Sequence, residues 1–486
     1  MKPTFTGPEV ESFYHLIDVS MDHRRCRGVS CFASQLLDPE GWRLALEQWP
    51  PVYCLGKCYA SPASTETTAE PAIEICCNEG IVLDGVADGS MRSLTSYRQA
   101  CGYEALELAL ASTPDWIVGQ IEISQLRGRG GAGFPAGRKW RAVSDEPHHH
   151  KFVVANADEG DHGSYIDRFI LERTPHRLIE ALTIAGIAVG ASKGYVYLRK
   201  EYPAAELALR EAIREAYSAG WLGDHVGGRR FSFDMEVVIG QGSYVCGEET
   251  SLLNSIEHRR PEVRARPPFP THRGLFGAPT LVNNVETLAS IPWIVRNGGE
   301  AYADMGFSTS RGTKAVSLNS LFNRPGLYEV EFGIPLRKIL EEYGGGLKTT
   351  EIKAVIIGGP LAGLIHPREF DTPLGFDEMH SIGASIGHGG IVAFDRNTRM
   401  AEFLAHVFTF GAIESCGKCT PCRLGTRRAQ ELWSHLAEGP PLNADESMEL
   451  RAILDALRQT SLCGHGTGLA VVADSVLSKF PEEVSL

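Results

Sequence analysis

The sequence predicts a multidomain α/β protein that ends in a helical bundle. Three observations carry this. The chain has 486 residues, more than one ordinary domain holds. Strand-like apolar runs alternate with helix-period segments between residues 93 and 310, the pattern of an α/β unit. Beyond residue 396 the apolar positions recur only at helical spacing. The expected division is a small α/β unit over 1–92, an α/β ligand-binding domain over 93–310, a compact β-grasp-like module over 311–395 and a helical domain over 396–486. A net charge of -13 argues against nucleic acid as a partner. No apolar run reaches the roughly 18 residues of a membrane span. Met1–Thr6 lacks the apolar core of a signal peptide, so a cytoplasmic seat is expected.

In the first unit, His15–Val19 is a short apolar stretch and Trp42–Gln48 a helix segment. Pro51 to Cys58 reads as a strand entering a glycine-bearing loop. Ala72–Ile75 and Gly80–Leu83 read as paired strands around Asn78. Cys26, Cys31, Cys54 and Cys58 form a C-x4-C and a C-x3-C pair. Four thiolates at two loop mouths suit a [2Fe–2S] cluster. Zinc, or plain buried thiols, are the alternatives. Cys76 and Cys77 fall outside the pattern and read as packing.

A helix is expected over Tyr97–Ser112 and another over Pro114–Ser124. Next comes Gly128-Arg129-Gly130-Gly131-Ala132-Gly133-Phe134-Pro135-Ala136-Gly137-Arg138-Lys139-Trp140, with five glycines. Glycines let backbone N–H groups approach an anion closely, and Lys139 adds charge. That suits a phosphate-bearing cofactor, with an ordinary surface loop as the alternative. The strand Lys151–Asn156 then runs into a polar, glycine-containing loop, Asn156 to Gly163. Ligands of open α/β sheets sit just past such strand ends. Phe233–Ile239 is a further strand, followed by Gly240 to Thr250 with the adjacent carboxylates Glu248 and Glu249. These complement a helix dipole or contact a ligand's hydroxyls. Arg264 to Pro270 is rigid, basic and aromatic, and Asn283-Asn284-Val285-Glu286-Thr287 opens another helix.

Residues 311–395 carry strands at Gly326–Val330 and Lys353–Gly359 around a short helix, Leu336–Glu342, with no visible catalytic constellation. In the last segment Cys416, Cys419 and Cys422 form a C-x2-C-x2-C triplet. Three thiolates on one short loop hold three corners of a cubane, and a distant cysteine closes it. Cys463 is the remaining cysteine there. A [4Fe–4S] cluster is expected, with zinc or structural cysteines as alternatives. Thr420 and Pro421 suit a helix start that faces the anionic cluster.

Taken in order, R-G-R-G-G-A-G-F-P-A-G-R-K-W, N-A-D-E-G-D-x-G, Y-V-C-G-E-E-T with N-N-V-E-T, and S-C-G-K-C-T-P-C-R with the late cysteine resemble the NADH-binding flavoprotein subunit of respiratory complex I. They equally resemble the diaphorase (beta) subunit of NAD-linked formate dehydrogenases and [NiFe] hydrogenases. The N-terminal V-x-C-L-G-x-C, after C-x4-C, resembles the thioredoxin-like [2Fe–2S] subunit that accompanies the flavoprotein. The resemblance implies FMN and NAD(H) in one pocket. Gly128, Gly130, Gly131 and Lys139 would hold the FMN phosphate region. Asn156, Asp158, Asn283 and Asn284 would contact its ribityl chain or ring, with Tyr244, Gly247 and Glu248 closing the pocket. Phe134 and Phe269 would sandwich the adenine, while Glu249 and Asp161 would face NAD hydroxyls. Glu248 is the best catalytic candidate. Cys416, Cys419, Cys422 and Cys463 would ligate [4Fe–4S], and Cys26, Cys31, Cys54 and Cys58 would ligate [2Fe–2S].

The family's Glu-Pro is Asp161-His162 here, its lysine is Arg266, and a frequent aromatic is Ala142. Arg266 and His162 are groups that a 2′-phosphate of NADP would seek, but Asp161 and Glu249 favour NAD. The implied partners are the other subunits of a redox complex: a formate dehydrogenase or hydrogenase subunit bearing Fe–S centres, and a small [2Fe–2S] subunit. The fused N-terminal unit favours a soluble formate dehydrogenase or hydrogenase over complex I. A flavin-free iron–sulfur scaffold is the rival function, argued against by the complete glycine loop and paired glutamates.

Overall fold

A four-stranded parallel sheet organises the ligand-binding region of the computed structural model, which describes residues 14–17 and 19–484. The Met1–Thr6 segment lies outside the described residues. The sheet order is Asp234–Gly240, Lys193–Arg199, Phe152–Ala157, Thr280–Asn284. Parallel strands are covered on both faces, and three of these are mostly buried, while the edge strand Asp234–Gly240 exposes Asp234 and Glu236. The helix Pro175–Val189 lies almost wholly buried beneath them. It ends at Gly190, whose positive φ closes the last turn. The helix expected over Tyr97–Ser112 is broken into Leu94–Gln99 and Glu104–Ala111. The break lets two buried tyrosines reach polar partners: Tyr97 donates to Glu180 (2.5 Å) and Tyr103 meets His176 Nδ1 (2.9 Å). Helical periodicity does not register that demand.

The second sheet has six strands, ordered Leu364–Ile365, Ile352–Ile357, Gly390–Asp395, Thr313–Leu318, Gly326–Glu331, Ala72–Ile75. The last of these corrects the reading of the N-terminal unit. Ala72–Ile75 does not pair with Gly80–Leu83. It runs parallel to Gly326–Glu331, in register Gly326↔Ala72 to Glu329↔Ile75. The Ile81, Val82 and Leu83 N–H groups instead donate to the Glu329 carboxylate. Among the described residues, the other strands before residue 92 are the two-residue pair Arg25–Cys26 and Pro51–Val52. A thioredoxin-like sheet is therefore absent from the described residues, because the one longer strand is spent on another sheet's edge.

The C-terminal helices are Met400–Ile413, Thr426–Glu438, Ala444–Thr460 and Gly464–Lys479. They pack on the second sheet through Ile356, Val392, Phe394, Phe403 and Val407. The helix Val29–Ala33 wedges into the same core with Val29 and Phe32. Between the two sheets lies a fully buried ion pair, Lys314 Nζ–Glu286 Oε2 at 2.5 Å. It ties the second sheet to the helix Val285–Ala289 that follows the last strand of the first.

Candidate functional site

The C-terminal ends of the parallel strands open on two adjoining cavities, of about 400 and 700 Å³. Both are lined by Gly130, Gly131, Asn156, Gly247, Glu248 and Asn284. The larger adds Gly128, Phe134, Lys139, Glu249, Arg266, Phe269 and Asn283. The smaller adds Asp158, Asp161, Tyr244 and Cys463. All sixteen expected cofactor contacts thus lie on one continuous surface.

Two glycines explain why the loop needs them. A Cβ on Gly130 would lie 2.7 Å from Asn284 Cβ, too close for any other residue. Gly131 has φ +139° and faces open space, so its backbone is bare to the cavity. Phe134 and Phe269 stand at the mouth, each about half exposed (47% and 49%). Apolar faces left in water at a cavity rim suit a flat aromatic ligand.

Two carboxylates are left short of partners. Glu248 caps the helix Glu249–Ile256, its Oε2 accepting from the N–H groups of Thr250 (2.9 Å) and Ser251 (3.0 Å). Its Oε1 is buried with no hydrogen bond and lies 3.8 Å from Arg266 Nη1. Asp158 Oδ2 is likewise buried and unpartnered. Burial pushes the Asp158 carboxyl up to about 8, with Glu201 and Glu414 adding to the rise and Arg199 opposing it. Orphaned buried acceptors are costly unless a ligand's hydroxyl or N–H groups complete them. Bare glycine backbone and two orphaned carboxylates fit the phosphate, polyol and ring edges of FMN and NAD(H).

Other expected contacts are already engaged inside the protein. Asn156 bonds the Gly247 carbonyl (2.8 Å) and the Asp158 N–H (3.1 Å). Asn284 caps the helix Val285–Ala289 and donates to Asp167 (2.6 Å). Asn283 accepts from Trp140 Nε1 (3.1 Å). Lys139 pairs with Glu249 (3.1 Å), and Arg266 approaches the same carboxylate at 3.4 Å. Glu249 is thus flanked by two cations. His162 cannot serve a 2′-phosphate. It is fully buried away from the cavities, and its Nδ1 accepts from the Val29 N–H (3.1 Å). Burial, with His406 and Arg199 nearby, holds its pKa well below the ordinary value, so it is neutral.

The elevated Asp158 carboxyl makes a pH prediction. A carboxyl raised on folding binds its proton more tightly in the folded chain than in the unfolded one. Stability of the ligand-free protein therefore falls as pH rises from the ordinary carboxylate range to about 8, then levels. Asp158→Asn removes that contribution. The urea midpoint of the variant is expected to pull ahead of the parent's progressively between pH 5 and 8, with a constant gap above.

The module over 311–395, which shows no catalytic constellation in the sequence, walls the smaller cavity. Gly358, Leu361, Ser385, Gly387 and His388 line it, and Gly387 forms a backbone bridge with Gly131. The glycine pairs flanking these positions were the available signal.

Cys416 packs with Val245 and Val263, and Cys463 joins them. Cys422 Sγ is 3.1 Å from Ser415 Oγ and accepts from Thr426 Oγ1 at 3.7 Å. Burial, with Cys416, Glu248 and Cys422 nearby, pushes the Cys463 thiol up to about 12. Because Cys463 also lines the smaller cavity, the C-terminal cysteine site borders the flavin-sized space directly. A cationic cluster core is the natural counter-charge for four crowded thiolates.

Cys26, Cys31, Cys54 and Cys58 are all at most 1% exposed. Cys54 Sγ lies 3.8 Å from Cys26 Sγ and 3.5 Å from Cys58 Sγ. Backbone N–H groups of Gly28, Gly56 and Ala63 point at the sulfurs of Cys26, Cys54 and Cys31 (3.4–3.5 Å). Hydrogen bonding between the crowded thiols and their burial push Cys26 and Cys58 well above the usual range. Phe410 connects this site to the others. Its ring lies 5.3 Å from Tyr53, 4.5 Å from His162, 5.0 Å from Tyr244 and 6.3 Å from His465.

Comparison with known proteins agrees with this geometry. Residues 121–293 match the family described as Nuo51 FMN-binding domain, and residues 402–486 match the NADH-ubiquinone oxidoreductase-F iron-sulfur binding region. The HndC component of the NADP-reducing hydrogenase of Solidesulfovibrio fructosivorans is 39% identical over 80% of this chain and 80% of the relative. The second F-type component of the NADH-quinone oxidoreductase of Rhizobium meliloti is 40% identical over 82% of this chain and 94% of the relative. A crystal structure of an NAD+-reducing [NiFe]-hydrogenase in the air-oxidized state superposes with a TM-score of 0.82 at 27% identity, over 98% of this chain and 87% of that one. By these matches the chain belongs to the family of the FMN-binding, iron–sulfur-carrying F-type components of NADH-quinone oxidoreductase.

Proposed function

We propose that this chain is the NAD(H)-oxidising diaphorase subunit of a multi-subunit redox complex, a formate dehydrogenase or [NiFe] hydrogenase whose other subunits handle the second substrate. FMN, when bound, accepts hydride from NADH and passes on single electrons to iron–sulfur centres. The chain's residues supply position and charge. The glycine loop and Lys139 hold the phosphate end. Asp158, Glu248 and the asparagines line the polyol and ring. Phe134 and Phe269 flank the adenine, and Glu249 and Asp161 read ribose hydroxyls, favouring NAD. Cys416, Cys419, Cys422 and Cys463 hold [4Fe–4S] beside the flavin cavity. The observation that carries the reading is that Cys463 and the orphaned carboxylates share one cavity wall.

The buried quartet Cys26, Cys31, Cys54 and Cys58 is proposed to hold [2Fe–2S], on the strength of its close sulfurs and N–H donors. The hydrogenase structure covers 98% of the chain, so its likeness includes the N-terminal unit, whereas the curated relatives cover about four-fifths. That favours a hydrogenase- or formate dehydrogenase-type complex. The second reading, the NADH-binding subunit of complex I, is favoured by the 38–40% identity to several F-type components of NADH-quinone oxidoreductases. A β-grasp-like character for 311–395 is supported by its mixed sheet and crossing helical turn Lys338–Tyr343. Among the described residues no helix is long and apolar enough to cross a membrane. A cytoplasmic seat is part of the proposal.

The test is an anaerobic titration of the purified chain with NADH, with flavin and iron counted on the same sample. One FMN, about six irons and bleaching by NADH are expected. Cys54→Ser should drop iron to about four while the flavin still bleaches. Clusters without flavin, and no response to either nicotinamide, would overturn the reading.

A further inference from the structure

A buried ionic cluster joins the wall of the smaller cavity to the helix Ile166–Arg173. His388, 7% exposed, sits in the loop before the strand Gly390–Asp395 and lines that cavity. Its Nε2 lies 3.0 Å from Asp167 Oδ2, and its Nδ1 lies 3.5 Å from Asp161 Oδ2. Asn284 Nδ2, which donates to Asp167 Oδ2 at 2.6 Å, also lies 2.8 Å from the same Nε2. Asp161 also accepts from the Tyr244 hydroxyl at 3.0 Å. The remaining titratable groups near the ring are Glu159, Glu286 and Lys314, with Asp158, whose carboxyl burial keeps mostly protonated at neutral pH. Lys314 Nζ is bonded to Glu286 and to the His388 carbonyl.

Glu159, Asp167 and His388 offer donor atoms within 4.8 Å of one another, a spacing that a metal ion would use. The hydrogen bonds argue otherwise. The Glu159 carboxylate already accepts from the Ser164 and Tyr202 hydroxyls and from the N–H groups of Ile166, Asp167 and Arg168. Five donors leave it no lone pair for an ion. The cluster is organised to hold a proton. Burial alone would drive the imidazole neutral, but Asp167 and Asp161 on its two nitrogens outweigh this and raise its pKa well above the ordinary value. Burial raises Asp167, and His388 pulls it back.

We propose that His388 is a positioning residue for the cofactor: an imidazolium, pinned between Asp161 and Asp167, that places a fixed positive charge on the cavity wall and favours the reduced flavin over the oxidised one. The inference rests on the assignment of this cavity to FMN. A transferred hydride brings two electrons and one proton. The accepting ring therefore gains one negative charge unless a second proton follows from solvent, and a cation in a water-poor wall stabilises that charge. His388 is not a catalytic residue, since it acts through charge rather than by taking up the hydride. Asp161 has a second task in this account. It keeps the imidazole charged while its other oxygen stays on Tyr244.

Flavin-depleted full-length chain tests this by anaerobic ultrafiltration with FMN, oxidised or dithionite-reduced. The parent should bind reduced FMN more tightly than oxidised FMN at pH 7. The preference should fade as pH climbs through the raised imidazole pKa. His388→Gln should shrink the preference about tenfold at pH 7 and flatten its pH dependence, with oxidised FMN bound nearly as before. Asp161→Asn, which removes one of the two carboxylates, should shift the fade to lower pH. A purely structural histidine would weaken both redox forms equally, and an unchanged preference in both variants overturns the proposal. If the parent binds neither form of FMN, the assignment of the cavity fails and this inference with it.

Discussion

Replacing Cys463 by serine is expected to remove about four irons per chain and to cut NADH-driven reduction of any acceptor that depends on the cluster. Altering even the groups around metal ligands costs about 10–100-fold, so loss of a ligand should cost at least the upper figure. The flavin should stay. Cys463 touches the cavity at one edge only, while the glycine loop and Glu248 lie on other segments. A small one-electron oxidant able to enter the cavity should therefore still be reduced by NADH. If iron content is unchanged in Cys463→Ser, the C-terminal site is closed by another group and the ligand assignment is wrong. The thiol's elevated pKa adds a corollary. Without a metal core burial keeps the Cys463 and Cys422 thiols protonated at neutral pH, so cluster assembly should release protons.

The largest stability effect should come from Lys314→Met. Both members of the Lys314–Glu286 pair are 0% exposed in their side chains. Burial lowers the lysine's pKa, and the adjacent glutamate counters this. Removing one partner leaves a buried charge uncompensated, at about 3–5 kcal/mol. Among the described residues, the Glu286 carboxylate would keep its bond from the Ala315 N–H (3.0 Å). Adding Glu286→Gln to the same chain should restore much of the loss, because the remaining side chain is neutral. Urea unfolding of the two single variants and the double variant checks this. A Lys314→Met variant as stable as the parent would mean that water reaches the pair.

Most of the cavity was legible in the sequence because its chemistry is local. Glycines at 128, 130 and 131, the carboxylates at 248 and 249 and the C-x2-C-x2-C triplet each declare themselves within a dozen residues. What escaped depended on partners far away in the chain. Ala72–Ile75 looks like one arm of a hairpin, and nothing in its alternation reveals a partner some 250 residues on. His388 is a lone histidine between glycines, and only the fold sets it between Asp161 and Asp167. His162 reads as a group that a 2′-phosphate would seek, yet it is a neutral ring sealed against Val29. Asn284 reads as a ligand contact, while its amide is committed to a helix cap and to Asp167. Residue type marks where chemistry is possible; only the packing decides which polar atoms are still free to perform it.

The strand Ala72–Ile75 bears on how the assembly is put together. By occupying the edge of the sheet that follows the flavin-binding segment, it makes the N-terminal cysteine site inseparable from the rest of the chain. A partner subunit obeys mass action and leaves when dilute. A strand of the same polypeptide does not. The ratio of N-terminal sites to flavin cavities is thus fixed at translation, whatever the supply of other subunits. Deleting the segment would strip the sheet of its cover and leave the Gly326–Glu331 backbone as an open edge, available to any passing strand.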